Sequence, residues 1–256
     1  MSTGRMYDGS VLQYQDCVEV SACRPVEARC VLHVAGPLTG LDGIDLGCGT
    51  GWYGRQMLAG GARRALGVDC TPDMLAQARQ LSREGGDAMT FVQGDLRDLR
   101  DLRLREEFDI AIGSWVFCHA TTALELAQMY CAAASVLRPG GTLVAVVNNP
   151  AYRQQDGDGS AYGAKAIAQE PHPDADRLTV EFAGEPPIRV VDYQWGTGCH
   201  QAAATAAGFG ALSWHCPTPD PSDRAAFPPG FWDEYERNPA STALRCVKTR
   251  GVTEAG

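Results

Sequence analysis

Short apolar runs alternate with amphipathic stretches through the first 150 residues. Residues 43–47 (GIDLG), 65–69 (ALGVD), 89–95 (MTFVQGD), 108–114 (FDIAIGS) and 142–149 (TLVAVVNN) are compact apolar segments bounded by turn residues. Their length and β-branched content predict buried strands. Between them lie stretches with helical spacing. Residues 52–61 end in paired glycines, which close a helix. Residues 71–83 (TPDMLAQARQLSR) begin with Thr71 as an N-cap and Pro72 at the first helical position, and Met74, Leu75, Ala78 and Leu81 form one apolar face. Residues 123–137 predict a third helix, which stops at RPGG because Pro139 and the glycines cannot continue it. Apolar strands separated by helices imply a mostly parallel sheet covered on both faces.

The alternation breaks after Asn149. Residues 150–176 are rich in Gly, Asp, Ala and Pro and carry no clear period. RLTVEF and IRVVDYQW then read as two strands able to pair as a hairpin across AGEPP. CHQAAATAAGF reads as a helix stopped by Gly208, and ALSWHC and TALRCVK read as the last strands. The Pro-rich stretch between those strands has room for a short helix at most. No internal repeat or linker divides the chain. The expected layout is one domain: an N-terminal helical lid over 1–40, a core over 41–149, a substrate-cap insertion over 150–195, and the rest of the sheet over 196–256.

Composition narrows the partners. The chain of 256 residues has 45% hydrophobic and 21% charged residues and a formal net charge of −9. It carries no dense Lys/Arg block, which argues against nucleic acid and for a small-molecule partner. No apolar run has the length of a membrane span, and residues 1–15 lack the apolar core of a signal peptide. The expected location is cytoplasmic, as monomer or homodimer. None of the ten cysteines forms a CxxC pair. Free thiols and no metal site are therefore expected.

The chemistry concentrates in GIDLGCGTGWYG, residues 43–54. Gly49, Gly51 and Gly54 spell a literal dinucleotide fingerprint, yet that reading leaves Gly47 and Cys48 unexplained. The alternating set Gly47, Gly49 and Gly51 accounts for the whole loop, since glycine lets backbone approach a ligand closely. Asp45 sits at the end of the first strand, where a carboxylate can hold an amino group. Asp69 ends the second strand and can accept from two ribose hydroxyls. Asp95 follows the third strand, within reach of an adenine amino group. Taken singly, each acid also reads as a cap or turn former.

DLGCGTG, GVD with its following helix, GD, FDIAIGS and VLRPGG, in this order, resemble class I S-adenosylmethionine-dependent methyltransferases. The resemblance implies a Rossmann-like α/β fold. Its mostly parallel seven-stranded sheet has helices on both faces and a substrate-cap insertion after strand five. It also implies S-adenosylmethionine as cofactor, with S-adenosylhomocysteine as product. The cofactor-binding set is then Asp45, Gly47, Cys48, Gly49, Gly51, Asp69, Cys70, Met74, Asp95, Leu96 and Ser114, with Tyr14 near the methionine end. The competing reading of the loop is a nicotinamide-dependent dehydrogenase.

The flanks are similar to the toxoflavin-biosynthesis methyltransferase group: MYDGSVLQYQ, VVNNP, CHQAAATAAGF and GFWDEYERNP. That implies methylation of a heteroaromatic nitrogen, or oxygen, in natural-product biosynthesis, driven by proximity and orientation. On the substrate side, Tyr7, Trp115, Trp195 and His200 are candidate contacts, with Phe117, Phe231 and Trp232 as further aromatics. His119 and His200 are the candidate catalytic residues, because histidine titrates near neutral pH. A structural role fits His119 equally, and the competing reading of His200 is an N-terminal helix residue facing water. Nothing in the sequence forces a general base. The alternatives are a carbon methyltransferase with His or a carboxylate as base (Glu170, Glu181 and Glu185 are available) and a non-catalytic cofactor-binding subunit.

Overall fold

The computed structural model describes residues 21–99, 102–183 and 187–249. Seven strands form the main sheet: β1 (Asp42–Leu46), β2 (Arg64–Asp69), β3 (Thr90–Gln93), β4 (Phe108–Ser114), β5 (Leu137–Asn148), β9 (Ser213–His215) and β10 (Ser241–Val247). Their order is β3-β2-β1-β4-β5-β10-β9. β1 pairs in parallel with β2 and β4, and β10 is antiparallel to both β5 and β9. The helices are α1 (Cys23–Ala35), α2 (Trp52–Ala59), α3 (Pro72–Gly85), α4 (Ala123–Val136), α5 (Thr197–Ala206) and the short α6 (Pro221–Ala226) and α7 (Asp233–Arg237).

Strand periodicity explains the two-faced burial. On β5, Leu143, Ala145 and Val147 join a core beneath α4 and α5, built on Leu126, Tyr130 and Ala203. The alternate residues Val144 and Val146 join the opposite core with Val31, Val34, Met57 and Leu75 of α1, α2 and α3. Successive strand side chains point to opposite faces, so the doubly covered stretch Leu143–Val147 is apolar at every position.

Some local details differ from expectation. Thr71 occupies the N-cap of α3, but its side chain makes no capping bond. Asp69 Oδ1 accepts from the Thr71 N–H at 2.8 Å instead. α4 stops at Val136 as expected. The chain turns at once into β5, whose pairing with β4 jumps from Phe108–Leu137 to Ile110–Thr142, so the RPGG segment bulges out. The Pro-rich connection holds two short helices, α6 and α7.

The larger difference lies after β5. RLTVEF and IRVVDYQW do pair, as β7 (Asp176–Phe182) and β8 (Ile188–Gln194), but an unforeseen strand, β6 (Ala164–Glu170), adds to the other edge of β7. Its sequence AKAIAQE carries a single β-former, Ile167, so pairing with β7 is what reveals it. α1 packs on β10 and β5. Among the described residues no helix is long and apolar enough to cross a membrane.

At the strand end remote from the glycine loop, buried Asp42 gathers three arginines. Arg63 reaches it at 2.6 Å, Arg138 at 2.9 Å and Arg64 at 3.3 Å. The arginines hold its carboxyl well below the usual range. Asp42→Ala should destabilise the fold by about 1–3 kcal/mol. That is less than a fully buried pair loses, because the guanidiniums stay part-exposed. Denaturant unfolding measures this, and ligand binding at the far end of the sheet should not change.

Candidate functional site

The site forms where β1, β2 and β4 end. After Leu46 the chain turns back along β2. The N–H groups of Gly47 and Cys48 both donate to Val68 O, at 2.8 and 2.9 Å, and Gly49 N–H donates to Asp69 Oδ2 at 2.8 Å. Gly47 (φ +67°) and Gly49 (φ +50°) adopt left-handed backbone. A Cβ on Gly47 would lie 2.6 Å from Val116 Cγ2, whereas one on Gly49 would meet nothing nearer than 3.9 Å and would project into the open cleft. This is a cradle that only bare backbone leaves free.

Two cavities meet at this loop, sharing Gly47, Gly49, Ser114, Trp115 and His119. The first is a cleft of about 120 Å³, lined also by Asp69, Cys70, Met74, Asp95 and Leu96. The second holds about 280 Å³ and takes in Asp45 and Cys48. Gly51 lines neither: it caps α2 at φ +83°, with Phe91 where a Cβ would lie. It shapes the loop from behind.

The three acids differ in their environments. Asp69 spends one acceptor position on each of two backbone donors, and a carboxylate has about four. Asp95, expected to reach an adenine amino group, is gripped by the Arg97 guanidinium, which holds its carboxyl below the usual range. Asp45 accepts from Gly54 N–H at 2.8 Å. Burial, with Asp69 nearby, pushes its carboxyl up to about 7.

Trp115 carries an unusual backbone. Its φ is +56°, a conformation that costs roughly 1–3 kcal/mol for a bulky residue. Its N–H donates to Val146 O at 3.0 Å, and its indole Nε1–H donates to both oxygens of Glu27, at 3.1 and 3.2 Å. Glu27 is itself buried on α1, and burial pushes its carboxyl up to about 7. Sequence reasoning missed Glu27. The available signal was a lone acid within the run Val26, Ala28, Val31 and Val34, on the buried side of its helix.

The second cavity has the small sheet as a wall. Ala164 and Ala166 of β6, Leu178, Val180 and Phe182 of β7, and Val190 and Asp192 of β8 all face it. They are alternate positions in register, with Ala166 opposite Val180 and Leu178 opposite Asp192. Asp192 is the polar member of that face. Its Oδ1 lies 3.4 Å from His119 Nδ1. Tyr152, Tyr162, Asn148 and Tyr235 complete the enclosure.

Two sequence candidates are corrected. Trp195 is 1% exposed in the core, with its indole N–H donating to Ala120 O at 3.1 Å. His200 is also 1% exposed, and its Nδ1 lies 2.9 Å from the Tyr130 hydroxyl. Burial pushes it down to about 3, so it stays neutral. Neither lines either of these two cavities: α5 turns His200 onto Tyr130 of α4, and Trp195, which directly follows β8, is buried against Ala120. Phe117 is core as well, and Phe231 and Trp232 pack with Tyr162 and Tyr235 behind the second cavity. Tyr7 and Tyr14 lie outside the described residues, as does Glu185. All nine cysteines among the described residues are free thiols.

This strand order, with β10 antiparallel and the ligand cleft at the carboxyl ends of β1, β2 and β4, is the class I methyltransferase fold. Residues 44–141 match the family described as "Methyltransferase domain". Over 99 residues the chain is 31% identical to the tRNA U34 carboxymethyltransferase of Aeromonas salmonicida, covering 38% of this chain and 29% of that protein. The chain thus spans less than a third of that relative. Among solved structures, an S-adenosylmethionine-dependent methyltransferase from Mesorhizobium loti superposes with TM-score 0.61 at 22% identity, covering 90% of this chain and 99% of its own. The methyltransferase CcbJ from Streptomyces caelestis gives 0.58 at 16%, covering 88% and 89%. The [4+2]-cyclase SpnF gives 0.63 at 18%, covering 97% and 96%.

Two outcomes follow. His200→Ala strands the buried Tyr130 hydroxyl and leaves a void, so it should cost about 2–4 kcal/mol in urea unfolding without changing ligand affinity. Asp45 titrates from 3.8 to about 7 on folding, so the native state binds the extra proton. Its contribution therefore falls as pH rises through that window, by at most ~1.4 kcal/mol per pH unit. His200 works in the opposite sense, since its lowered value makes stability rise between about 3 and 6.5. The stability difference between wild type and Asp45→Asn isolates the Asp45 part, and it should shrink steadily from pH 4 to pH 7.

Proposed function

We propose that this protein transfers a methyl group from S-adenosylmethionine to a small-molecule acceptor. The observation that carries the reading is the pair of cavities joined at Gly47, Gly49, Ser114, Trp115 and His119. One has the nucleotide-cleft acids, and the other is a larger, mostly apolar chamber. Asp69 has acceptor capacity for ribose hydroxyls, and Cys70, Met74 and Leu96 offer walls for the adenine. In this reading the bare backbone of Gly47 and Gly49 leaves room for the methionine chain, and Asp45, which lines the second cavity, holds the ammonium group. The bound sulfonium supplies an electrophilic methyl group. The protein supplies position, exclusion of water and an aromatic surround. The chamber volume, about 280 Å³, lies just below the small-molecule range of ~300–1,000 Å³.

The acceptor is a flat heteroaromatic compound methylated on nitrogen or oxygen. The aromatic rings of Trp115, Tyr152, Tyr162 and Phe182 around the chamber support this, as do the toxoflavin-group motifs of the flanks and the natural-product role they imply. A net charge of −9 favours such a ligand over RNA. A second reading, a rearrangement or cyclisation in the same chamber, is kept because the cyclase SpnF shares the fold.

Calorimetric titration should show binding of both S-adenosylmethionine and S-adenosylhomocysteine and none of NAD or NADP. Tight NAD binding would sink the reading. Asp69→Ala should weaken S-adenosylmethionine at least tenfold, since hydrogen bonds to a charged partner contribute roughly 1.5–3 kcal/mol each. Circular dichroism checks that the fold survives. Asp45 must ionise to hold an ammonium group, so affinity should rise with pH up to about 7, and Asp45→Asn should flatten that rise.

A further inference from the structure

We propose that His119 and Asp192 form a proton-accepting pair, so that the acceptor presents a hydroxyl or an N–H and not a proton-free ring nitrogen. This rests on the methyl-transfer reading above and sharpens its substrate class.

Asp192 is a costly residue where it stands. It is the polar position on the chamber-facing side of the β6–β8 sheet, among Ala166, Leu178, Val180 and Val190. It is 6% exposed, and its Oδ1 has no hydrogen-bond partner. The Cys118 thiol and the Asn148 amide lie beside the carboxylate, but a buried oxygen left without an aligned donor is destabilising, so its presence asks for a function. The group it approaches is His119 Nδ1 at 3.4 Å, also buried and also unpartnered. The spacing is longer than an aligned hydrogen bond, as in acid–base pairs that tighten on their ligand.

Three elements create the pairing. His119 closes the single turn Phe117–His119 that follows β4, and β5 and β8 pack on that turn. Of the titratable groups those elements turn toward His119, Asp192 is on β8 and Cys118 is on the turn itself, while β5 contributes the neutral amide of Asn148. With Nδ1–H directed at Asp192, the free imidazole nitrogen is Nε2, on a ring that borders both cavities. The carboxylate then fixes the tautomer and stabilises the imidazolium. In the step, the acceptor's O–H or N–H proton passes to His119 Nε2. The electron pair released on that atom forms the bond to the methyl carbon, and the carbon–sulfur pair returns to sulfur, leaving a thioether. Charge and atoms balance without an oxidant. A proton-free ring nitrogen needs no such pair.

The experiment is nitrogen NMR of the full-length protein labelled at histidine and saturated with S-adenosylhomocysteine, with the His119 signals assigned by His119→Asn. The expected result is a neutral His119 protonated at Nδ1 with bare Nε2, and loss of that preference in Asp192→Asn. A wild-type His119 protonated at Nε2 overturns the proposal. So does stoichiometric zinc, iron or nickel in the purified protein, since Cys118, His119 and Asp192 offer ligand atoms within 4.8 Å of one another. Activity is read with 8-hydroxyquinoline and quinoline as probes. Asp192→Asn should lower kcat for the hydroxylated probe roughly 10–100-fold with KM little changed, and His119→Ala should lower it ~10²–10⁴-fold. Turnover of quinoline alone would overturn the pair. The tautomer is read whether or not either probe is turned over. Loss of cofactor binding or of all transfer, with the tautomer as expected, would instead count against methyl transfer.

Discussion

The hydrogen bonds that tie the glycine loop to the end of β2 are the constraint on which the site depends. Val68 O receives two N–H groups from the loop, and Asp69 receives a third. These bonds replace the strand pairing that ends with β1. They hold Gly47 and Gly49 with their backbone facing the cleft, in conformations a side chain would resist. Asp69 therefore braces the glycine loop at the cleft and keeps further acceptor capacity of its own. The other Asp69 oxygen anchors the start of α3, so one carboxylate sets the relation of loop, strand and helix.

Around that anchor the protein stores unfavourable electrostatics. Asp45, Glu27 and Asp192 are all buried, and burial raises each above the ordinary carboxyl range. Glu27 also holds Trp115, whose left-handed backbone sits at the junction of the two cavities. Strain and buried charge persist only where surrounding structure over-determines them. Here the same end of the sheet concentrates both, while the opposite end uses the Asp42–arginine cluster to hold strands together. The two ends of one sheet carry different tasks.

The core fold and the wall of the chamber are separable. Solved structures that superpose on this chain include methyltransferases and a [4+2]-cyclase. A strand order alone therefore does not choose a reaction. The chamber is walled by the separate β6–β8 sheet, whose cavity-lining positions are apolar except at Asp192.

The sequence by itself determined the strands and helices of 41–149, because a strand covered on both faces is largely apolar, and glycine and proline mark where elements end. It also located the glycine loop with Asp45 and Asp69, which are adjacent to the turn they serve. Only tertiary structure decided what depends on distant pairing. β6 has little propensity of its own, with Ile167 its single β-former, and depends on pairing with β7. His200 and Trp195 have site-like residue types, but α5 packs His200 against Tyr130 of α4 and Trp195, just after β8, is buried against Ala120. Glu27 meets Trp115 from 88 positions away, and Asp192 meets His119 because β8 crosses the turn after β4. Residue type and local period report which face of an element is apolar. They do not report which other element that face will meet, and the partners of the buried carboxylates are of that second kind.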